Sequence, residues 1–403
     1  LRSRRVIIGS LRGISKLFKR VIKMHDFQKL VSFSFPTNIL FGCGAVKELG
    51  PHLLGQSFKC PLIVTDPVVA ELGFFKDIVS SLESQGLRVT VFSEIHKNPV
   101  KSDVIAGGDV YEANDCDCIV GVGGGAGLDV SRAIGLRVNH KRDLFDYDDL
   151  IGGDKYVTED VPYLVTIPTT SGTGSEVGRS AIISEDESKR KRILFSPKLL
   201  ASQVFADPEL TYGLPPSITA ATGMDALTHS MEAFIAKGYH PMASGIALES
   251  IKMCARSLEL AVKEPKNAQA RGEMLLASLM GAVAFQKGLG IVHATAHPLS
   301  TLLDMHHGLA NSMMIPYGME FNEVGMEEEF VELAAALGAK GSVSEFLHEL
   351  KSKLGLPEKL SDIGVKEEHL DDLVELAFTD FCLPANPREA SKADLRAIYE
   401  KAL

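Results

Sequence analysis

The sequence predicts two architectures in series: an α/β half built on a parallel sheet, then an all-helical half. Three observations carry this. From Phe33 to about Asp207, short apolar runs alternate with helical patterns, as a doubly wound parallel sheet requires. After Leu214-Pro215-Pro216 the apolar residues recur at three and four, and strand-like runs nearly vanish. At 403 residues, the chain is also too long for one typical core.

The first 23 residues stand apart. Arg2, Arg4, Arg5, Arg12, Lys16, Lys19, Arg20 and Lys23 are basic, with no acid among them. Ile7, Leu11, Ile14, Leu17, Phe18 and Val21 recur at helical spacing, which would give a cationic amphipathic helix. An organelle-targeting or membrane-surface segment is one reading; a mis-assigned start, with Met24 as the true first residue, is the one favoured. Residues 24–214 are expected to form the α/β domain. In it Pro61–Thr65 reads as a buried strand ending at Asp66, followed by an amphipathic stretch from Val68 to Gln85. Leu87–Phe92 is a second strand, Cys118–Val122 a third, Tyr163–Pro168 a fourth and Gln203–Asp207 a fifth. A second amphipathic stretch runs from Ser102 to Asn114. Residues 215–403 are expected to be helical, with breaks at Gly238–Pro241, Glu264-Pro265 and Gly355–Pro357.

Composition narrows the function. A net charge of −10 argues against nucleic acid, because phosphate binding needs a basic surface. The longest apolar runs fall short of the roughly 20 residues a spanning helix needs, so no integral membrane association is expected. The six cysteines contain no Cys-x-x-Cys pair and suggest neither a disulfide framework nor a thiolate zinc site. A reducing, cytoplasmic location follows.

Two small-residue loops stand just beyond predicted strands. Gly121–Asp129 leads from a strand into a helix expected to start near Leu128. Glycines there let backbone N–H groups and a helix N-terminus face a pyrophosphate without interfering Cβ atoms. The fit to G-x-G-x-x-A is loose, and a plain strand–helix turn reads the same way. Thr169–Glu176 combines hydroxyls and glycines that suit a phosphate or ribose, or a polar turn. Both lie at the C-terminal ends of parallel strands, where α/β sheets bind ligands, so the pair points to a dinucleotide.

The helical half carries a metal pattern. Asp225 and His229, four apart on a helix, share a face. His293, His297, His306 and His307 concentrate four of the 12 histidines in an otherwise apolar, small-residue region. Charged imidazoles would be costly there, whereas neutral metal ligands would not. One aspartate with three histidines suits Fe(II) or Zn(II), with a position left for substrate. Neutral core histidines, or the site of a metallohydrolase, fit the same pattern.

From about Phe35 to the C-terminus the chain resembles the iron-containing (group III) alcohol dehydrogenases, whose fold is related to dehydroquinate synthase. The motifs are Gly123-Gly124-Gly125, Thr169–Glu176, Ala221–Glu232, Gly288–Leu299, His307-Gly308 and Asn386-Pro387-Arg388. The resemblance implies metal ligands at Asp225, His229, His293 and His307, with His297 as a proton relay. It implies cofactor contacts at Gly123, Gly124, Gly125 and Asp129, at Thr169, Thr170 and Thr173, and at Lys191 near the ribose. Asp66 matches the acid that binds the adenosine ribose hydroxyls, and a carboxylate there would repel a 2′-phosphate, which favours NAD over NADP. The implied activity is metal-dependent oxidation of a small alcohol to an aldehyde or ketone, and the reverse, with Fe(II) ahead of Zn(II), in a homo-oligomer. A lyase of the dehydroquinate synthase type is the alternative, although that reaction needs a more basic pocket. The sequence departs from the pattern in three places: Ala126 replaces a serine, Gly245 an aspartate, and His306 a proline.

Overall fold

The computed structural model describes Phe35 and residues 37–403. The basic stretch over residues 1–23 and Met24 lie outside the described residues.

Six strands form one parallel sheet: β1 (Asn38–Phe41), β2 (Pro61–Val64), β3 (Thr90–Phe92), β4 (Cys118–Gly123), β5 (Tyr163–Pro168) and β8 (Gln203–Ala206). Their order is β1-β8-β5-β4-β2-β3, with every pairing parallel. β4 is buried along its whole length, which is why Cys118-Ile119-Val120 reads as an unbroken apolar run rather than an alternating one. The remaining strands, β6 (Ser180–Ser184) and β7 (Lys191–Phe195), form an antiparallel hairpin. Between the strands lie α1 (Leu49–Gly55), α2 (Pro67–Ala70), α3 (Gly73–Ser84), α4 (Lys101–Ala113) and α5 (Gly125–Asn139).

The five expected strands are present, with adjusted ends. The second begins at Thr90 because Gly86, at φ 90°, stops α3, and the Leu87 N–H closes that stop on Leu82 O at 3.2 Å. The Val68–Gln85 stretch is two helices, interrupted where Leu72 turns extended to start the second. α5 starts at Gly125, three residues before the expected Leu128. β1 and the hairpin were not anticipated. β1 is an edge strand whose four residues are all exposed, so it carries no alternation. The hairpin mixes polar and apolar residues on five-residue strands.

From Pro216 the chain is helical: α6 (Pro216–Ile235), α7 (Pro241–Lys263), α8 (Ala268–Ala284), α9 (Ile291–Leu303), α10 (His307–Glu323), α11 (Glu327–Leu337), α12 (Val343–Lys353), α13 (Leu370–Phe378) and α14 (Lys392–Ala402). The expected breaks fall between α6 and α7, between α7 and α8, and after α12. α6 is the axis of this half. Every residue from Thr219 to Ile235 is buried, with α7, α8 and α10 packed around it, so even its polar side chains face protein on all sides. Among the described residues no single helix is long and apolar enough to cross a membrane, and all six cysteines are free thiols.

The loop after β5 joins the two halves. Gly174 sits there at φ 66°, and a Cβ on it would lie 2.6 Å from Ser278 O and 2.4 Å from the Ala282 methyl, both on α8. Neither the backbone conformation nor the α8 backbone has room for a side chain. Gly174→Ala is therefore expected to destabilise the protein by about 2–4 kcal/mol. Denaturant unfolding checks this, and an unchanged midpoint would contradict the contact.

Candidate metal and dinucleotide site

The four positions with metal-ligand chemistry come from three helices. α6 presents Asp225 and His229 on one face, α9 presents His293, and α10 opens on His307. Two constraints bring the helices together. A Cβ on Gly308 would lie 2.5 Å from Ala221 O, so the first turn of α10 rests directly on the α6 backbone. α9 begins at Gly290 without a local side-chain cap; its first N–H groups are taken by remote side chains instead. Ile291 N donates to Asn386 Oδ1 at 3.0 Å, Val292 N to Glu232 Oε1 at 2.6 Å and His293 N to Glu232 Oε2 at 3.3 Å.

Glu232 Oε2 also lies 2.6 Å from His293 Nδ1. Burial draws this carboxyl up to about 8 against its backbone N–H donors; once it is ionised, the ring proton stays on Nδ1 and the Nε2 lone pair is left for a ligand. One ligand atom from each of Asp225, His229, His293 and His307 lies within 4.8 Å of the others. From Asp225 Oδ1 the imidazole Nε2 atoms stand at 3.4 Å (His307), 3.9 Å (His229) and 4.0 Å (His293). Four atoms around a divalent ion at about 2.1 Å would be roughly 3.4 Å apart, so the set fits one ion after small side-chain shifts.

The electrostatics agree. Burial pulls the His293 imidazole well below its ordinary value, and the neighbouring histidines add to this. His307 is drawn down to about 3 by burial, against the pull of Asp225. Both rings therefore offer neutral lone pairs at neutral pH. Burial alone would raise the Asp225 carboxyl, but His229, His307 and the Asn311 amide hold it below the usual carboxylate range. The set is one carboxylate with three imidazoles, which suits a divalent cation. The amide Nδ2 of Asn311 is turned into this cluster, donating to Asp225 Oδ1 at 2.6 Å.

His307 and Asp225 form part of the wall of a cleft of about 520 Å³ that also exposes Asp66, Gly124, Gly125, Ala126, Thr170, Thr173, Lys191 and His306. α5 opens onto it with no side chain capping its N-terminus, leaving N–H donors for a phosphate. Gly123 reaches this turn at φ 147°. Asp66 spends Oδ1 on the Val68 and Val69 N–H groups, each at 2.9 Å, while Oδ2 lies beside Gly123. That second oxygen remains an acceptor at this turn. Lys191 opens into the cleft, where the surrounding protein lowers its ammonium pKa against the attraction of Asp304. The residues thus suit a dinucleotide with its pyrophosphate at α5.

Two expected cofactor contacts lie elsewhere. Asp129 turns away from the cleft: Oδ1 accepts from Ser175 Oγ at 2.7 Å and Arg132 Nη1 at 3.1 Å, and Oδ2 from Ile182 N at 3.0 Å. With both oxygens committed, it ties α5 to the Thr169–Glu176 loop and the hairpin, and so corrects the sequence-based contact. Thr169 is buried, its N–H bonded to Gly123 O at 3.0 Å; it joins the two loops rather than lining the cleft. Gly245 faces open space, so the aspartate it replaces has no counterpart contact here. His297 lies beside the cluster, its Nδ1 2.8 Å from Asp380 Oδ2.

Residues 36–208 match the description "Iron-containing alcohol dehydrogenase", and residues 219–403 match "Fe-containing alcohol dehydrogenase family, C-terminal". The chain belongs to the iron-containing alcohol dehydrogenase family. It is 37% identical to 4-hydroxybutyrate dehydrogenase of Cupriavidus necator over 91% of this chain and 98% of that one. It is 34% identical to the NAD-dependent methanol dehydrogenase of Bacillus methanolicus, over 93% and 100%. Among solved structures, a 1,3-propanediol oxidoreductase superposes with a TM-score of 0.88 at 34% identity, over 93% of this chain and all of that one. Like its family, this protein is an oxidoreductase that interconverts alcohols and carbonyl compounds.

Glu232, Asn311, Asp380 and Asn386 were given no role from the sequence. Glu232 had a signal: it continues the Asp225–His229 face at i+7, an acid in a wholly buried helix. Asn311 follows His307 by one helical turn. Asp380 and Asn386 had no periodic signal.

Glu176 is also buried, with Oε1 unpaired among the described residues. Burial draws its carboxyl up from 4.5 to about 7, against its own N–H and Arg132. Below the unfolded value both states are protonated and the group's contribution to stability is fully present. As pH rises toward 7 the unfolded chain ionises first, and that contribution is lost. Glu176→Gln is expected to gain on wild type by up to ~3 kcal/mol on going from pH about 5 to about 8. Denaturant midpoints at the two pH values check this; parallel curves would contradict it.

Proposed function

We propose that the protein is an NAD-dependent, metal-dependent dehydrogenase of small alcohols, holding one divalent cation at Asp225, His229, His293 and His307. The observation that carries this is the convergence of one buried carboxylate and three imidazoles beside a cleft whose other wall is an uncapped helix N-terminus. When bound, the cation supplies Lewis acidity toward an alcohol or carbonyl oxygen, and the dinucleotide supplies hydride exchange. Fe(II) is the first choice and Zn(II) the second, since both accept this donor set.

In this reading Asp225 offsets half the charge of a divalent ion, and the neutral rings hold it without adding charge. The N-terminus of α5, with Gly123, Gly124 and Gly125, cradles the pyrophosphate, while Thr170 and Thr173 supply hydroxyls. Asp66 Oδ2 accepts from the adenosine ribose, and its charge disfavours a 2′-phosphate, hence NAD rather than NADP. Lys191 lies near the cofactor ribose, and His297 carries the alcohol proton toward solvent. Residues 24–214 then serve as the dinucleotide-binding domain and 215–403 as the metal-binding domain. The relatives named for 4-hydroxybutyrate, 1,3-propanediol and methanol all point to short primary alcohols as the substrate class. A cytoplasmic homo-oligomer is the expected context.

His293→Ala is expected to lose bound metal and at least about 100-fold of turnover, while NAD binding changes less than about threefold. Metal analysis, NADH formation and NAD titration check the three parts. Full metal content and turnover in this variant would contradict the ligand assignment.

A further inference from the structure

His297 is held on several sides. Its Nδ1 meets Asp380 Oδ2 at 2.8 Å. Its ring lies nearly parallel to those of Phe381 and His307, at centroid distances of 5.3 and 5.5 Å and interplanar angles of 26° and 19°. Asp380 is fixed in turn, since its Oδ1 accepts from the Cys382 N–H at 2.8 Å. It follows α13 in a turn closed by its own N–H on Ala377 O at 3.2 Å, and its side chain is only 10% exposed.

A carboxylate only accepts hydrogen bonds, so the shared proton at 2.8 Å belongs to Nδ1. The neutral ring is therefore the Nδ1–H tautomer, with its lone pair on Nε2. Nε2 has no hydrogen-bond partner among the described residues and is free to accept a proton. We propose that Asp380 is a positioning residue that sets the tautomer and orientation of His297 and offsets the charge the ring gains on protonation. This rests on the reading of His297 as the proton relay. A proton released from the alcohol oxygen would be taken by Nε2 while the Nδ1–H stays with His297 throughout, and the dinucleotide, when bound, would supply the hydride acceptor. Without the carboxylate the ring is free to carry its proton on Nε2, where it blocks acceptance. The same logic governs the aspartate of a Ser-His-Asp triad. Cys382 completes a cluster with His297 and Asp380, but burial raises its thiol well above the ordinary value, so it offers no thiolate.

The test uses Zn(II)-loaded full-length protein labelled with 15N in its histidine rings. In wild type the His297 ring is expected to show a protonated Nδ1 and a bare Nε2. In Asp380→Ala and Asp380→Asn the proton is expected to move wholly or partly to Nε2, with metal content and NAD affinity retained. In steady state, kcat is expected to fall roughly 10- to 100-fold with KM changed less than about threefold, and His297→Ala/Asp380→Ala is expected to be no slower than His297→Ala. An unchanged His297 tautomer in both single variants would overturn the proposal. So would a double variant slowed by the full product of the single effects. Ring 15N shifts need no turnover. A tautomer change in a protein that oxidises no alcohol would therefore refute the dehydrogenase reading and leave the positioning role standing.

Discussion

Glu232 is the side chain on which the site and the helical half both depend. A buried carboxyl group is costly unless its oxygens find donors, and here the open N-terminus of α9 supplies them, against the burial that draws the group up to about 8. Val292 N and His293 N donate to one oxygen each, and the His293 ring adds a further bond. Capping of this kind is worth on the order of 1 kcal/mol for an ordinary helix, and losing a buried partner costs more. The helix cap, the packing of α9 on α6 and the tautomer of a metal-ligand candidate are thus one constraint. Asn386 extends it, since it caps Ile291 while exchanging hydrogen bonds with Asn322 on α10. Its position explains why a near-terminal Asn-Pro-Arg belongs with motifs a hundred residues earlier.

The turn between α9 and α10 completes the geometry. Asp304 ends α9 at φ 51°, an uncommon conformation for a residue other than glycine, and three residues later His307 starts α10. Asp304 also accepts from Asn98 Nδ2 at 2.9 Å across the cleft. The segment that delivers His307 to the metal cluster is therefore tied to the loop after β3, on the dinucleotide side. This contact links the sheet half to the helical half at the rim of the cleft.

Much of this was legible in the sequence. Strands β2, β4 and β5 announce themselves because central parallel strands are buried on both faces. Asp225-x-x-x-His229 does so because helical periodicity places the pair on one face. Edge strand β1 and the β6–β7 hairpin were illegible because their residues are exposed or mixed, and their pairing is decided by tertiary context. Asp129 was misread for a related reason: its position suggested a phosphate contact, but its partners Arg132, Ser175 and Ile182 are distant or unmarked in the sequence. Asp380 belongs to the same class, since only the fold brings it 83 positions back to His297. Sequence periodicity finds groups that share an element, whereas the groups that orient them come from other elements.

The central claim is that this cluster holds a cation on which alcohol oxidation depends. The most direct test is to strip the protein with a chelator, resupply Fe(II) or Zn(II) without oxygen, and follow NADH formation from short primary alcohols and diols. The account predicts no turnover in the stripped protein and recovery that saturates at one ion per chain. Undiminished NADH formation by protein shown to be metal-free would contradict it.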